Sequence, residues 1–460
     1  MRRDALAVLF ALLVAPAPTH AEEPSRQQVD ALLQDNRDLR RHNEDLERRL
    51  GELERRERER SRADDERTLG APLADWTRRV RLGGSANAGY YRGSDETFFE
   101  DASFQVWDAR FFLDADLGRD IAVGETPIAR NAGLTFEWNA VRLGEVQTGD
   151  GATMIGETYV ELQGVGGSRW ANLQVGRFQI PVGENYLRFS KGYRDNPFIT
   201  NAVGGPWWWD EGVRIHGTSE GGRFGYVASI SDGETDFEED TSREPQLTLK
   251  LYANPTPWLH ASVSALRSGE AEAGALWLGE TWATPIGSLG FLPTWQDGEP
   301  IYGQPDERID STLLLGADVV LTHERLGRLW LAFGHYAIDA PRGSQGDRDL
   351  LYWIAEWMLG GDAIAPELAP FYLALRANGL GTYDDGEGYV LDVSDAFRVG
   401  YNQEALEAYS IALGWRMTRW TTLRLEYTRR QMRLVDGVPR SFRNDAGGSD
   451  LFGVELGAAF

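Results

Sequence analysis

From residue 77 onward the chain alternates apolar and polar positions with a period of two, and helical periodicity is almost absent. Leu247, Leu249 and Leu251 share one face, with Lys250 on the other. The same alternation groups Leu259, Ala261, Val263 and Ala265, then Leu313, Leu315, Ala317 and Val319, then Phe371, Leu373, Leu375 and Ala377. Successive side chains of a strand point to opposite faces, so each run predicts a strand with one apolar face. The runs begin with 77–91, 103–117, 130–143, 156–164, 169–180, 210–218, 222–232 and 245–253. They continue with 257–267, 310–322, 326–338, 350–359, 368–379, 405–417, 420–432 and 449–460. That is about sixteen strands, each roughly as long as a tilted strand that crosses a bilayer.

The connections alternate in length. "GVGGS" (164–168), "TSEGG" (218–222), "NPTP" (254–257), "THERLG" (322–327) and "MTRW" (417–420) are short turns. Between them stand long polar loops at 181–209, 233–244, 268–309, 339–349, 380–404 and 433–448. Short turns at one end and long loops at the other are the pattern of an outer-membrane barrel. Two connections on the short side, 118–129 and 360–367, are longer than that pattern prefers.

The face opposite the apolar one carries charge. A Lys or Arg facing lipid at the bilayer midplane costs about 2–4 kcal/mol, whereas one facing a wet lumen costs little. The polar face is therefore expected to line a lumen, with Arg110, Arg214, Lys250, Glu356, Arg376, Arg416, Arg424 and Glu426 among the lining residues. A soluble sandwich or small barrel would bury the apolar face instead, but a sixteen-strand interior is too wide for side chains to fill. The expected fold is all-β: a closed antiparallel transmembrane β-barrel over 77–460. Its last strand stays apolar through Phe452, Val454, Leu456, Ala458 and Phe460, as a strand that closes the barrel in lipid must.

The first 76 residues follow other rules. Residues 1–21 have a basic start (Arg2, Arg3), a short apolar core and a small-residue end at Ala21, the signature of a signal peptide. Within 22–62, Val29, Leu32, Asn36, Leu39, Asn43, Leu46, Leu50 and Leu53 are spaced alternately by three and four, as coiled-coil core positions are. In a parallel coil Asp35 meets Arg40, His42 meets Glu47 and Arg49 meets Glu54, so the pairs favour a homo-oligomer. Gly70 and Pro72 end the heptads, and 63–76 reads as a linker. An even strand count puts this short coiled-coil helix and the C-terminus on the periplasmic side.

Composition narrows the chemistry. There is no Cys, which excludes disulfides, thiol catalysis and covalently attached haem. A net charge of −24 argues against nucleic acid as a partner. "GTSEG" (217–221) matches a nucleophile elbow in letters only, because it joins two expected strands rather than a strand and a helix. His216, His260 and His335 fall in separate strands, and the acidic "DGETDFEED" (232–240) lacks the residue order of a calcium loop. No enzyme, metal site or cofactor is expected.

The stretch "GETYVELQGVGGSRWANLQVGRFQIPVGENYLRFSK" (156–191) resembles the phosphate-selective porin O/P family through Gly176, Phe178, Pro181, Gly183 and Glu184. "WDARFFLDADLG" (107–118) and "LYWIAEWMLGGD" (351–362) extend the resemblance over the barrel. The resemblance implies an outer-membrane homotrimer, sixteen strands, a third loop folded into the lumen and a preference for anions such as phosphate or dicarboxylates. On that loop Tyr186, Arg188, Lys191, Tyr193 and Arg194 form the densest basic-aromatic cluster of the chain and are the candidate constriction. The inward charges depart from the family's basic ladder by mixing Arg with Asp and Glu. The expected function is passive diffusion of small hydrophilic solutes through the outer membrane of a Gram-negative cell, with lipid as surroundings. The alternatives are a structural barrel that spaces or anchors to the cell wall, and a sheath for a partner electron carrier.

Overall fold

The structure, a computed structural model, describes residues 79–93, 103–142, 145–146, 155–184, 196–200, 202, 209–233, 244–269, 271–272, 294–296, 299–301, 308–339, 348–381, 403–434 and 449–460. The expected signal peptide, coiled coil and linker lie outside the described residues. So does the candidate constriction.

Sixteen strands carry the fold. They are β1 (Val80–Gly93), β2 (Ser103–Val123), β3 (Thr126–Arg142), β4 (Ile155–Gln163), β5 (Asn172–Gln179), β6 (Trp209–Thr218), β7 (Phe224–Ser231) and β8 (Gln246–Thr256). The circuit continues through β9 (Leu259–Ser268), β10 (Ser311–His323), β11 (Gly327–Asp339), β12 (Arg348–Gly360), β13 (Phe371–Gly381), β14 (Gln403–Arg416), β15 (Thr421–Leu434) and β16 (Ser449–Ala459). Each strand pairs antiparallel with the next, and β16 returns to β1 in the register Ser85↔Ala459 to Gly93↔Leu451. The barrel is closed, so no strand is left without a partner on either side.

Closure runs to the last residue. The Phe460 amide donates to the Gly84 carbonyl (2.9 Å), and the Gly84 amide donates to the Phe460 carbonyl (3.0 Å). A Cβ at Gly84 would stand 2.7 Å from the Phe460 ring, so the ring lies over the bare glycine. Deleting Phe460 removes two ladder bonds at the seam but leaves the rest of it. The expected result is less folded barrel, read as heat-modifiable protein on gels, with unchanged unit conductance. Normal yield with altered conductance would contradict this.

Burial alternates as the sequence pattern does, but inverted relative to a water-soluble barrel. In β8 Gln246, Thr248 and Lys250 are buried while Leu247, Leu249 and Leu251 are exposed. Val263, Leu313, Leu315, Phe333, Ile411 and Leu413 are likewise exposed on the outer wall. The inner wall is compacted by tyrosines that lie on glycines of the neighbouring strand. A Cβ at Gly225, Gly334 or Gly414 would come within 2.2, 2.0 and 1.9 Å of the ring of Tyr252, Tyr352 and Tyr372 respectively.

Two expectations change. The long connection at 118–129 is strand: β2 and β3 continue past the end of β1, which begins opposite Ala115, and turn tightly at Gly124 (φ 64°). Register shifts at Asp116/Gly118 and Ile121/Ala122, with Asp120 at φ 51°, break the period-two pattern and so hid these strands. The connection after β12 holds two short 3-10 turns, Gly361–Ala363 and Pro366–Leu368. The inner wall is also not uniformly polar. Leu314, Trp330, Tyr336, Leu350, Tyr352 and Ile354 of β10–β12 point inward and form a buried cluster with Ile180 and Val182. These two residues follow β5 and pack into the bore, which excludes water from that part of the wall.

Candidate functional site

The segment that leaves β5 shapes the interior. Residues 180–184 bend inward at Gly183, whose φ of 63° favours glycine. Glu184 then docks on three strands at once. Its Oε1 accepts from Lys250 Nζ (2.6 Å, β8), His260 Nε2 (2.6 Å, β9) and Ser262 Oγ (3.2 Å, β9). Lys250 Nζ also donates to the Gly183 carbonyl, and Ser264 Oγ accepts from the Gly183 amide (3.0 Å). On β10, Asp318 Oδ1 accepts from the Glu184 amide (3.2 Å) and from Trp330 Nε1 (2.9 Å). Asn254 Oδ1 lies 2.7 Å from the other ring nitrogen of His260 and so holds the imidazole in place.

Burial pushes the Glu184 carboxyl up, but the His260 hydrogen bond and the Lys250 charge outweigh it and bring it down to about 2. A depressed carboxyl adds stability above its ordinary value of 4.5 and loses it as pH falls towards about 2. The dock is therefore expected to hold through neutral and mildly acid pH and to release in that lower window. Conductance recorded from pH 6 down to pH 2 should change more steeply below pH 4.5 in the wild type than in Glu184→Gln, in which the other carboxylates of the inner wall are unaltered. A flat wild-type profile would contradict the dock.

The same loop meets the wall a second time. Asn196 Oδ1 accepts from the Phe198 amide (3.2 Å), which shapes the turn. The Tyr372 hydroxyl donates to the Pro197 carbonyl (3.0 Å), and the Arg376 guanidinium stacks 4.2 Å from the Phe198 ring centre. Glu426 accepts from the amides of Ile199 and Thr200 and from the Thr200 hydroxyl. These partners stand on β13 and β15, across the ring from β5 and β6, where the loop is rooted.

The eight residues expected to line the lumen alternate along their strands with the apolar positions of the opposite face. Arg110, Arg214, Lys250, Glu356, Arg376 and Glu426 are at most 7% exposed, so each is a packed member of the wall. Arg110 is held by Asp108 (3.1 Å) and Glu137 (3.0 Å). Arg214 donates to the Gln179 carbonyl (3.0 Å) and stacks on Phe178 at 4.7 Å. Glu356 stands 3.9 Å from Arg376. Arg424 pairs with Glu455 (2.7 Å), which also accepts from the Tyr91 hydroxyl (3.0 Å). Arg416, at the short-turn end, is exposed and stacks over Tyr372 at 5.2 Å. Tyr186, Arg188, Lys191, Tyr193 and Arg194 lie between Glu184 and Asn196, outside the described residues.

Asp318, Tyr372 and Thr200 gave no warning as docking residues. The inward apolar cluster did leave a signal: "LLYWIAEWML" (350–359) is apolar at nearly every position, which reads as a strand packed on both faces. "GTSEG" forms the turn between β6 and β7, where Ser219 Oγ accepts from the Phe224 amide (2.9 Å), so no elbow exists there. His216 pairs with Glu161 (2.9 Å), and His335 with Asp349 (2.9 Å). Among the described residues no group of three or more carboxylates and imidazoles is placed to hold a metal ion.

No protein-family profile and no curated protein matches this chain in sequence. Solved structures match in fold. The outer membrane channel DcaP of Acinetobacter baumannii is similar with a TM-score of 0.51 at 11% identity, over 83% of this chain and 97% of that one. A loop-L8 deletion mutant of OmpT, an outer membrane protein of Vibrio cholerae, gives 0.50 at 10% identity, over 83% of this chain and 99% of that one. The in-vitro folded trimer form of OmpT gives 0.50 at 11% identity, over 83% and 99%. At these identities the likeness is one of fold: this chain forms the kind of closed antiparallel barrel seen in those outer-membrane proteins.

Proposed function

We propose that this protein is an outer-membrane porin through which small hydrophilic solutes diffuse passively. The observation that carries the reading is the inverted wall: large apolar side chains are exposed all round the outside, and charged ones are held inside. In water such a surface would aggregate, whereas in a bilayer it is the low-energy arrangement. A closed barrel is also one of the two architectures that satisfy every backbone group in lipid. The docked segments 180–184 and 196–200 support a channel over a mere spacer, because both are fastened to the inner wall and take up part of the interior.

Anions such as phosphate or dicarboxylates are the proposed solutes. Support comes from the resemblance to the phosphate-selective porin O/P family and from the position of Tyr186, Arg188, Lys191, Tyr193 and Arg194. Both flanks of that cluster, Glu184 and Asn196–Thr200, are fastened to the inner wall, so the cluster is our candidate constriction. We further propose a homotrimer held in the periplasm by the coiled coil of residues 29–53. Purified protein in planar bilayers should give stepwise currents. A barrel that inserts and never conducts would favour the spacer or sheath instead.

A further inference from the structure

We infer that Thr200 is the positioning residue that sets the width of the passage, a role that rests on the channel reading above. The loop is covalently rooted at Gln179 on β5 and Trp209 on β6, neighbouring strands that pair directly. Nothing in those roots obliges it to reach β13 and β15, each seven strands round the ring from β6. The Glu184 dock carries it only to β8–β10. The far side of the loop is therefore held by its second dock, and Thr200 is the centre of that dock.

Every polar atom of Thr200 is engaged. Its amide donates to Glu426 Oε2 (3.1 Å), and its hydroxyl donates to Glu426 Oε1. Its carbonyl accepts from Arg376 (2.9 Å) and from Asn196 Nδ2 (2.9 Å), and its hydroxyl oxygen accepts from the same guanidinium. The hydroxyl thus stands between a carboxylate and a guanidinium, giving a hydrogen to one and a lone pair to the other. Among small side chains only Ser and Thr can do both at one atom. Thr200, Arg376 and Glu426 are 4%, 3% and 1% exposed, so no water replaces a lost contact cheaply. Thr428 Oγ1, which donates to Glu426 Oε1 (2.6 Å), belongs to the wall and cannot hold the loop.

Thr200 lies outside the strands, so its replacement leaves the barrel ladder intact. Thr200→Val keeps the shape and removes the hydroxyl, while Thr200→Ser keeps the hydroxyl. Unit conductance, the size cutoff for neutral polyethylene glycols and protease cleavage within 196–200 should be measured for both, with folded yield checked by heat-modifiability. The expected result is that Thr200→Val raises all three and Thr200→Ser restores wild-type values. Adding Glu426→Gln to Thr200→Val should widen the passage by less than the two single changes together, because they share the hydroxyl contact while Glu426 also holds the Ile199 and Thr200 amides. The inference is overturned if wild type and Thr200→Val conduct identically, or if Ser behaves as Val does; the channel reading then stands. If neither protein conducts, the channel reading itself fails, and the inference goes with it.

Discussion

Replacing Arg188, Lys191 and Arg194 together by Glu should move the reversal potential under a salt gradient from the anion side to the cation side. The three positions fall within seven residues between two fastened points, Glu184 and Pro197. Charges in a narrow, partly dewatered opening focus their field on passing ions. At a wide, wet mouth the same charges are screened within about 8 Å at physiological salt. Location therefore decides the size of the effect. Reversing three charges within loop 233–244 is the control and should shift the potential far less. An unchanged potential in the triple variant at physiological salt would sink the constriction. The net charge of −24 would then be the better guide, with a mild preference for cations.

The second large effect is expected at Gly414. Its missing side chain leaves the space in which Tyr372 lies, since a Cβ there would stand 1.9 Å from the ring. Gly414→Val must expel the ring, at a cost of about 1–3 kcal/mol for overpacking alone. The displaced Tyr372 also gives up its hydrogen bond to the Pro197 carbonyl (3.0 Å) and its stacking with Arg416 (5.2 Å). The urea midpoint should fall and the unit conductance should rise together. Adding Tyr372→Ala removes the clash and should restore much of the stability, but not the conductance, because the tie to the loop stays broken. Full recovery of both would show that Tyr372 does nothing for the loop.

The period-two alternation determined the barrel before any coordinate did. The pleat sends neighbouring side chains to opposite faces, so Leu247, Leu249 and Leu251 had to share a surface that Lys250 could not. Charge on the second face decided that it points inward, and the alternation of short turns with long loops decided antiparallel closure. The bulged extension of β2 and β3 escaped notice because each inserted residue shifts the alternation by one. What the eight inward charges do was a tertiary matter. A residue's face is a local property of its strand, but its partner comes from a strand or loop far away in sequence. Glu184 finds Lys250 and His260 across 66 and 76 residues, and Thr200 finds Glu426 across 226. Alternation along one strand carries no information about such contacts, so only closure of the ring could show that Lys250, Arg376 and Glu426 hold a segment of the chain in the bore.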